Sequence, residues 1–274
     1  MVEASAQAQM SDPVWTAIRV EAWSEEEREP FLRVFLKESI LKKKRLEEAL
    51  GHLLATKLAT ACVNPALLQS LIDQAFATSE IRAAIRRDLN AVNDRDPAAR
   101  GFLTPFLFFK GFHALQTYRV AHWLWSQGRN LLAIHFQNRS SEVFGVDIHP
   151  AARIGSGILI DHATGVVIGE TCVIDDDVSL LHDVTLGGTG KETGDRHPKV
   201  RRGVLLGAGA IVLGNVEIGE GAKVGAGSLV LDPVPAHSTF AGVPARNVGQ
   251  PSVASPALSM DQGFPHLHHE GGGI

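Results

Sequence analysis

Two polar segments in the second half of the chain carry side chains that could transfer protons. The first is Asp-His-Ala-Thr-Gly at residues 161–165, and the second is the glycine-rich segment 187–199, which contains Arg196 and His197. Histidine titrates near neutral pH, and as a general acid or base it contributes roughly 10^2- to 10^4-fold in rate. Neither segment holds a cysteine that could form a covalent intermediate. His162 and His197 are therefore the candidates for proton transfer.

Both segments interrupt a six-residue repeat of aliphatic side chains, many of them followed directly by glycine. A six-residue period is typical of a parallel β-helix, in which each short strand places one aliphatic side chain inside a narrow prism. No aromatic residue occurs between residues 145 and 239, as expected for an interior too slim for rings. The repeat positions are Ile148, Ile154, Ile160, Ile168, Ile174, Leu180, Leu186, Val200, Leu206, Val212, Ile218, Val224 and Val230.

The two interruptions are longer steps in this repeat. The step from Ile160 to Ile168 is eight residues, so we expect residues 161–165 to form a widened corner. The step from Leu186 to Val200 is fourteen residues, so we expect a loop over residues 187–199 that protrudes from the prism. Long insertions on a regular scaffold are commonly functional.

The first half of the chain has a different composition. Only five of the 27 glycines precede residue 146, whereas all four tryptophans do. Asp12, Asn64 and Asp96 each precede a proline, which is a helix-start signal, and Ser24 begins a capping-box sequence. We predict a mixed α and β fold: an α-helical domain (residues 1–145), a left-handed parallel β-helix (residues 146–248) and a mobile C-terminal tail (residues 249–274).

Composition argues against several classes of protein. The formal charge of −4 and the pI of about 6.3 argue against a nucleic-acid partner. No run of about 20 apolar residues that could span a membrane is present, and the first residues lack the pattern of a secretory signal. Cys62 and Cys172 are too few for a disulfide framework. We expect a cytoplasmic protein.

Longer motifs point to a family. They are VDIHPAARIGSGILIDHATGVVIGE, VTLGGTGKETGDRHPKVRRGVLLGAGA, AGVPAR at residues 241–246 and, in the helical half, KGFHALQTYRVAHWLW. Together they closely resemble serine O-acetyltransferases, from about residue 13 to residue 248 and again at the last residues. The resemblance implies transfer of acetyl from acetyl-CoA to the hydroxyl of L-serine in cysteine biosynthesis. Acetyl-CoA is then a co-substrate, and neither a tightly bound cofactor nor a metal is expected.

The resemblance also implies a mechanism. His162 removes the proton of the serine hydroxyl, and Asp147 orients the imidazole, as a carboxylate does in other catalytic dyads and triads. The two residues are 15 apart, a little under one coil of about 18, so they could meet on adjacent coils. The serine oxygen then attacks the thioester directly.

Substrate contacts follow from the same resemblance. Arg196 and His197 meet the serine carboxylate, whereas Asp161 and Asp96 hold its ammonium group. Asp96 has a simpler alternative role as a helix cap, and Lys223 has one as a solvated surface side chain. The residues that match the acetyl-CoA site are Gly188, Thr189, Gly207, Ala208, Lys223 and Ala226.

Partners are implied as well. Members of this family are trimers with sites between subunits, and two trimers pair through the helical domain into a hexamer. The C-terminal isoleucine, here Ile274, inserts into O-acetylserine sulfhydrylase.

Three alternatives remain open at this point. One is another hexapeptide-repeat O- or N-acyltransferase, acting on a sugar or an antibiotic. Another is a zinc hydratase of the γ-carbonic anhydrase kind, since His149, His162, His182 and His197 could supply ligands between subunits. The third is a catalytically silent scaffold for the sulfhydrylase.

Overall fold

The first half of the molecule is helical. The computed structural model describes residues 12–190 and 193–263, and no helix in these ranges is long and apolar enough to cross a membrane. A 3₁₀ turn (Pro30–Leu32) precedes α2, and a π-helical turn (Lys37–Leu41) follows it. The helices are α1 (Pro13–Arg28), α2 (Arg33–Leu36), α3 (Leu46–Leu58), α4 (Pro65–Phe76), α5 (Ser79–Arg95), α6 (Leu103–Phe108), α7 (Lys110–Ser126) and α8 (Asn130–Phe144).

Two of the three proline-linked helix starts are confirmed. Asp12 accepts a hydrogen bond from the backbone of Trp15 (3.3 Å) at the start of α1, and Asn64 caps α4. The start at Asp96 is wrong, because Asp96 ends α5 and the next α-helix begins only at Leu103. The capping box at Ser24 is also wrong, because α1 continues through it to Arg28.

The second half consists of short strands wound into coils. The strands are β1 (Val146–Ile148), β2 (Arg153–Ile154), β3 (Leu159–Ile160), β4 (Val166–Ile168), β5 (Val173–Ile174), β6 (Ser179–Leu180), β7 (Thr185–Gly187), β8 (Lys199–Val200), β9 (Leu205–Leu206), β10 (Ile211–Leu213), β11 (Glu217–Ile218), β12 (Lys223–Val224), β13 (Leu229–Val230), β14 (Thr239–Gly242) and β15 (Ala245–Gly249). They form a five-stranded sheet (β1-β4-β7-β10-β13), a four-stranded sheet (β11-β8-β5-β2) and a six-stranded sheet (β15-β14-β12-β9-β6-β3). All pairs are parallel except β14 with β15.

The hexapeptide aliphatics fill the prism, as predicted. On the five-stranded sheet, the in-register residues Ile148, Ile168, Leu186, Val212 and Val230 are each at most 3 % exposed. The fold class, helices followed by a parallel β-helix, is therefore confirmed.

The two halves pack directly against each other. Tyr118 of α7 donates a hydrogen bond to the carbonyl of Ala152 (2.5 Å), and burial raises the pKa of this phenol. The helices end at Phe144 and the strands begin at Val146, but one continuous cluster of buried apolar side chains runs through both halves. The division into separate domains at residue 145 stays a prediction.

Part of the predicted tail packs against the β-helix. A short helix, α9 (Pro256–Ser259), lies on the β-helix, and Ala257 is fully buried. The backbone carbonyl of Ala257 accepts a hydrogen bond from Ser179 (2.9 Å), and its N–H donates to Gly203 (3.2 Å). The mobility of the tail stays a prediction.

Candidate functional site

One corner of the prism carries a column of aligned residues. The strand ends Ile160, Leu180, Leu206 and Val224 are paired in register between neighbouring strands. The second residue after each strand end therefore lies at the same corner of successive coils. We call these residues the histidine column: His162, His182, Ala208 and Ala226.

His162 stands at the top of this column on the widened corner. The corner bends sharply, since both His162 (φ 56°) and Ala163 (φ 62°) adopt the left-handed conformation that non-glycine residues seldom use. The imidazole is exposed and lines a cavity of about 660 Å³ between the β-helix, the end of α5 and the start of α7. The imidazole is therefore accessible to a ligand in this cavity.

Two carboxylates share the cavity with His162. Asp96 reaches it from the end of α5, and Asp161 from the corner itself. Burial raises the pKa of Asp161, His162 opposes this rise, and the neighbouring charge of Asp96 adds to it. Asp96 ends α5 and caps no helix N-terminus in residues 12–190 and 193–263. Its carboxylate accepts a local hydrogen bond from the backbone N–H of Ala98 (2.8 Å). A pair of carboxylates beside a base is well suited to an ammonium group.

His182 is a site residue that sequence reasoning assigned only to the zinc alternative. Its ring lies edge-on to that of His162, with centroids 5.9 Å apart. Its Nδ1 atom is buried without a hydrogen-bond partner in the described part of the chain. The signal in the sequence was its position two residues after Leu180, which matches that of His162 after Ile160.

Arg196 and His197 lie at a different corner, where the five-stranded sheet passes to the four-stranded sheet. The Arg196 guanidinium pairs with Glu170 (2.7 Å), and this hydrogen bond lowers the pKa of Glu170. The Thr171 hydroxyl accepts the backbone N–H groups of Arg196 (3.0 Å) and His197 (3.1 Å). Glu170 and Thr171, which sequence reasoning missed, thus fix the base of the protruding loop.

The His197 ring is held by close packing. A methyl group at Gly169 would overlap this ring, so only glycine fits beneath it. The Nδ1 atom accepts a hydrogen bond from the Thr171 N–H (3.2 Å), which places the ring proton on Nε2. Burial lowers the pKa of His197, and the charge of Arg196 lowers it further. The neutral ring can therefore donate a hydrogen bond through Nε2.

Asp147 is not paired with His162 within one protomer. It lies on β1, and its carboxylate accepts a hydrogen bond from Gln137 (2.6 Å). No hydrogen bond or ion pair between Asp147 and His162 occurs in residues 12–190 and 193–263. The expected meeting on adjacent coils is thus not seen within the chain.

The residues matched to acetyl-CoA also divide between the two corners. A small cavity of about 40 Å³ lies on the coils that follow His162 and His182, and Gly207, Lys223 and Ala226 line it. Gly188 lies beside Arg196. A methyl group at Gly207 would lie 2.6 Å from the backbone nitrogen of Ala226, so the coils are in close contact there. Ala208 belongs to the column, and Thr189 follows Gly188 in the loop.

Lys223 does not have the solvated position considered from the sequence. It is 1 % exposed, because residues 261–263 cover it. Its ammonium group donates to the carbonyls of Asp261 (3.2 Å) and Gly263.

The histidines do not form a metal cluster within the described ranges. No group of three or more His, Cys, Asp or Glu side chains there could hold a metal ion. His149 packs edge-on against Trp125 (5.2 Å between centroids), and burial lowers its pKa.

Comparisons with known proteins agree with this geometry. Residues 14–117 match the family described as serine acetyltransferase, N-terminal, and residues 197–232 match the bacterial transferase hexapeptide (six repeats). The serine acetyltransferase of Salmonella typhimurium is 54% identical over 257 residues, which cover 93% of this chain and 94% of that protein.

Solved structures are equally similar. A crystal structure of serine acetyltransferase from Vibrio cholerae has a TM-score of 0.90 at 56% identity and covers 92% of this chain and 98% of that one. The enzyme from Brucella abortus in complex with coenzyme A has a TM-score of 0.86 at 52% identity, with 87% and 96% covered. The chain belongs to the serine acetyltransferase family.

Proposed function

We propose that this protein transfers the acetyl group of acetyl-CoA to the hydroxyl of L-serine, giving O-acetyl-L-serine and CoA. The observation that carries the proposal is the cavity in which His162 faces the two carboxylates Asp96 and Asp161. The imidazole can accept the hydroxyl proton, and the carboxylates can pair with the serine ammonium group. The coenzyme A complex of the Brucella relative supports acetyl-CoA as the co-substrate.

The reaction needs one base and no covalent enzyme intermediate. His162 takes the hydroxyl proton as the serine oxygen forms a bond to the thioester carbonyl carbon. The tetrahedral intermediate then collapses, its carbon–sulfur bond breaks, and the thiolate leaves. His162 returns the proton to the sulfur, so the enzyme ends as it began.

We further propose that a second subunit completes the site. The base and the ammonium-binding carboxylates lie at one corner of the prism, whereas the carboxylate-binding Arg196 and His197 lie at another. Strands of three residues span about 10 Å, so side chains at the two corners of one protomer cannot close around a molecule as small as serine. In a trimer, the first corner of one prism meets the second corner of its neighbour, and Asp147 can then orient a histidine of the adjoining subunit.

The remaining features of the proposal concern assembly and partners. Two trimers pair through the helical half, where Trp23, Phe31 and Val34 are 62%, 89% and 72% exposed. The product feeds cysteine biosynthesis in the cytoplasm, and Ile274 binds O-acetylserine sulfhydrylase. Ile274 lies outside the described residues.

The proposal is tested by following free thiol released from acetyl-CoA with L-serine present or withheld. Wild type should release thiol only with serine. The rate should fall by about 10^2-fold or more in His162→Ala, because the base is lost. His52→Ala, a histidine of α3 away from the cavity, is the matched control and should behave as wild type. Thiol release that ignores serine, or that survives in His162→Ala, would contradict the proposal.

The shared site has its own test. His162→Ala and Arg196→Ala are each expected to be inactive alone. Mixed oligomers of the two should recover activity, since about one site in four then receives both intact corners. Failure to recover activity in verified mixed trimers would place the whole site within one subunit.

A further inference from the structure

The backbone around His162 is held in an unfavourable conformation. The N–H of Ala163 bonds to the carbonyl of Asp161 (2.6 Å), and the N–H of Thr164 bonds to the carbonyl of His162 (2.8 Å). These two successive three-residue turns force both central residues into the left-handed region. Such strain persists only where the surroundings impose it.

Hydrogen bonds between the corner and the next coil supply part of this restraint. The N–H of Asp161 donates to Leu180 (2.8 Å), and the carbonyl of Thr164 accepts from Asp183 (2.7 Å). These bonds fix the two ends of the corner to the next coil. His162 lies between them, and its ring makes no hydrogen bond in the part of the chain that the structure describes.

The first turn of α7 supplies the other part. Gly111 lies so close to the corner that a methyl group there would overlap the carbonyl oxygen of Ile160 and would lie 3.2 Å from the Cβ of Ala163. The adjacent Lys110 donates a hydrogen bond to the side-chain hydroxyl of Thr164. Helix and corner are thus in contact on both sides of His162.

We propose that Lys110 and Gly111 are positioning residues that hold His162 where it can reach the serine hydroxyl. The inference rests on the proposed function, in which His162 is the base. A general base must approach its proton donor to about 2.6–3.2 Å, and a displacement of about 1 Å can cost roughly 10^2-fold in rate. Lys110 and Gly111 at the start of α7 therefore contribute to catalysis as well as to the packing of the helix.

Gly111→Ala tests the close approach. The methyl group must push the carbonyl of Ile160 away, and we expect kcat to fall by about 10- to 100-fold. The KM for acetyl-CoA should change by less than about threefold, because the residues matched to the coenzyme lie on lower coils and in the loop. Loss of folded enzyme would also lower the apparent kcat at unchanged KM, so kcat is referred to the folded fraction measured by circular dichroism.

Gly51→Ala is the matched control. Gly51 is also a glycine within a helix, and a methyl group there would lie 2.7 Å from the flexible carboxylate of Asp73 and at an ordinary contact distance of 3.6 Å from Cγ2 of Ile72. Both variants gain helix propensity, so a difference between them reports the contact with the corner. Equal kcat in Gly111→Ala and wild type would overturn the proposal.

Variants of the hydrogen bond between Lys110 and Thr164 test the positioning role if Gly111→Ala does not fold. Lys110→Met and Thr164→Val should each lower kcat by about three- to tenfold, and the double variant should lose no more than the larger single effect. Thr164→Ser keeps the hydroxyl and should recover most of the activity lost in Thr164→Val. Independent effects that multiply, or no effect at all, would overturn the proposal.

The activity of the wild-type enzyme distinguishes failure of the proposed function from failure of the positioning role. If wild type shows no serine-dependent thiol release, the proposed function fails. If wild type is active and His162→Ala is not, while the Gly111, Lys110 and Thr164 variants all behave as wild type, only the positioning role fails.

Discussion

Asp88 is a buried carboxylate that ties the helices to the β-helix, and its removal should be costly. It is 0 % exposed and lies on α5. It accepts two hydrogen bonds from Arg119 of α7 (2.6 and 2.9 Å) and one from Gln116 (3.0 Å). Its other oxygen accepts the backbone N–H of Ile158 (3.1 Å), just before β3, which leads to His162.

The expected loss in Asp88→Ala comes mainly from the partner left behind. Arg119 is 8 % exposed, and a buried charge without its counter-ion costs about 3–5 kcal/mol. The buried N–H of Ile158 also loses its acceptor. We therefore expect the free energy of unfolding to fall by about 4 kcal/mol, close to the lower range of total stability of many domains.

Urea unfolding at pH 7.5 and fixed protomer concentration measures this loss, because oligomers unfold in a concentration-dependent way. The control is Asp88→Ala combined with Arg119→Met, which removes the stranded charge and should be more stable than Asp88→Ala alone. A single-variant loss below about 1 kcal/mol, or a double variant that loses the sum of both single effects, would show that the unpaired Arg119 is not the main cost.

Three further predictions concern pH and substrate binding. Burial lowers the pKa of His113 to about 4, whereas histidine in the unfolded chain titrates near 6.5, so wild type should lose about 2 kcal/mol of stability between pH 7.5 and pH 5. His113→Gln should not show this loss, and equal losses in urea unfolding would contradict the prediction. Glu170→Gln removes the partner of Arg196 and should raise the KM for serine roughly fivefold with kcat retained, and an unchanged KM in steady-state kinetics would count against this role. The pKa of Asp161 is raised, so the carboxylate takes up a proton as the pH falls toward that pKa, and the KM for serine should then increase. Asp161→Asn should show a high KM without this pH dependence. Parallel profiles of KM against pH in the two proteins would exclude Asp161 as the ammonium partner.

The regular part of the fold could be predicted from the sequence because its signal is local and periodic. Each hexapeptide aliphatic faces the same prism, and the widened corner follows directly from the eight-residue step between Ile160 and Ile168. The helix starts at Asp12 and Asn64 could also be predicted, because each depends on a hydrogen bond to a backbone N–H only three residues further along the chain.

The site could be predicted only in part, because its residues meet through long-range packing. Asp96 carries the local signal of a helix start, yet the chain turns away after α5 and Gly101 takes a left-handed conformation (φ 93°) before α6. Lys223 occupies a strand position on the prism, and its ammonium group is hydrogen-bonded to residues 261 and 263, far along the chain. The separation of His162 from Arg196 at two corners depends on how coils stack, which spacing along the chain does not reveal.

The role of the first turn of α7 was similarly hidden. Gly111 lies about 50 residues before the corner that it contacts, and its neighbours in the sequence do not reveal this contact. Its importance follows only from the distance between two backbones.

Identification of the product tests the proposed acetyl transfer directly. Purified protein is incubated with L-serine and acetyl-CoA, and O-acetyl-L-serine is measured by mass spectrometry beside free CoA. We predict one molecule of O-acetyl-L-serine for each CoA released, and neither product from His162→Ala above the uncatalysed rate. Release of CoA without acetylated serine would contradict acetyl transfer to serine, and equal product from His162→Ala would contradict the role of His162 as the base.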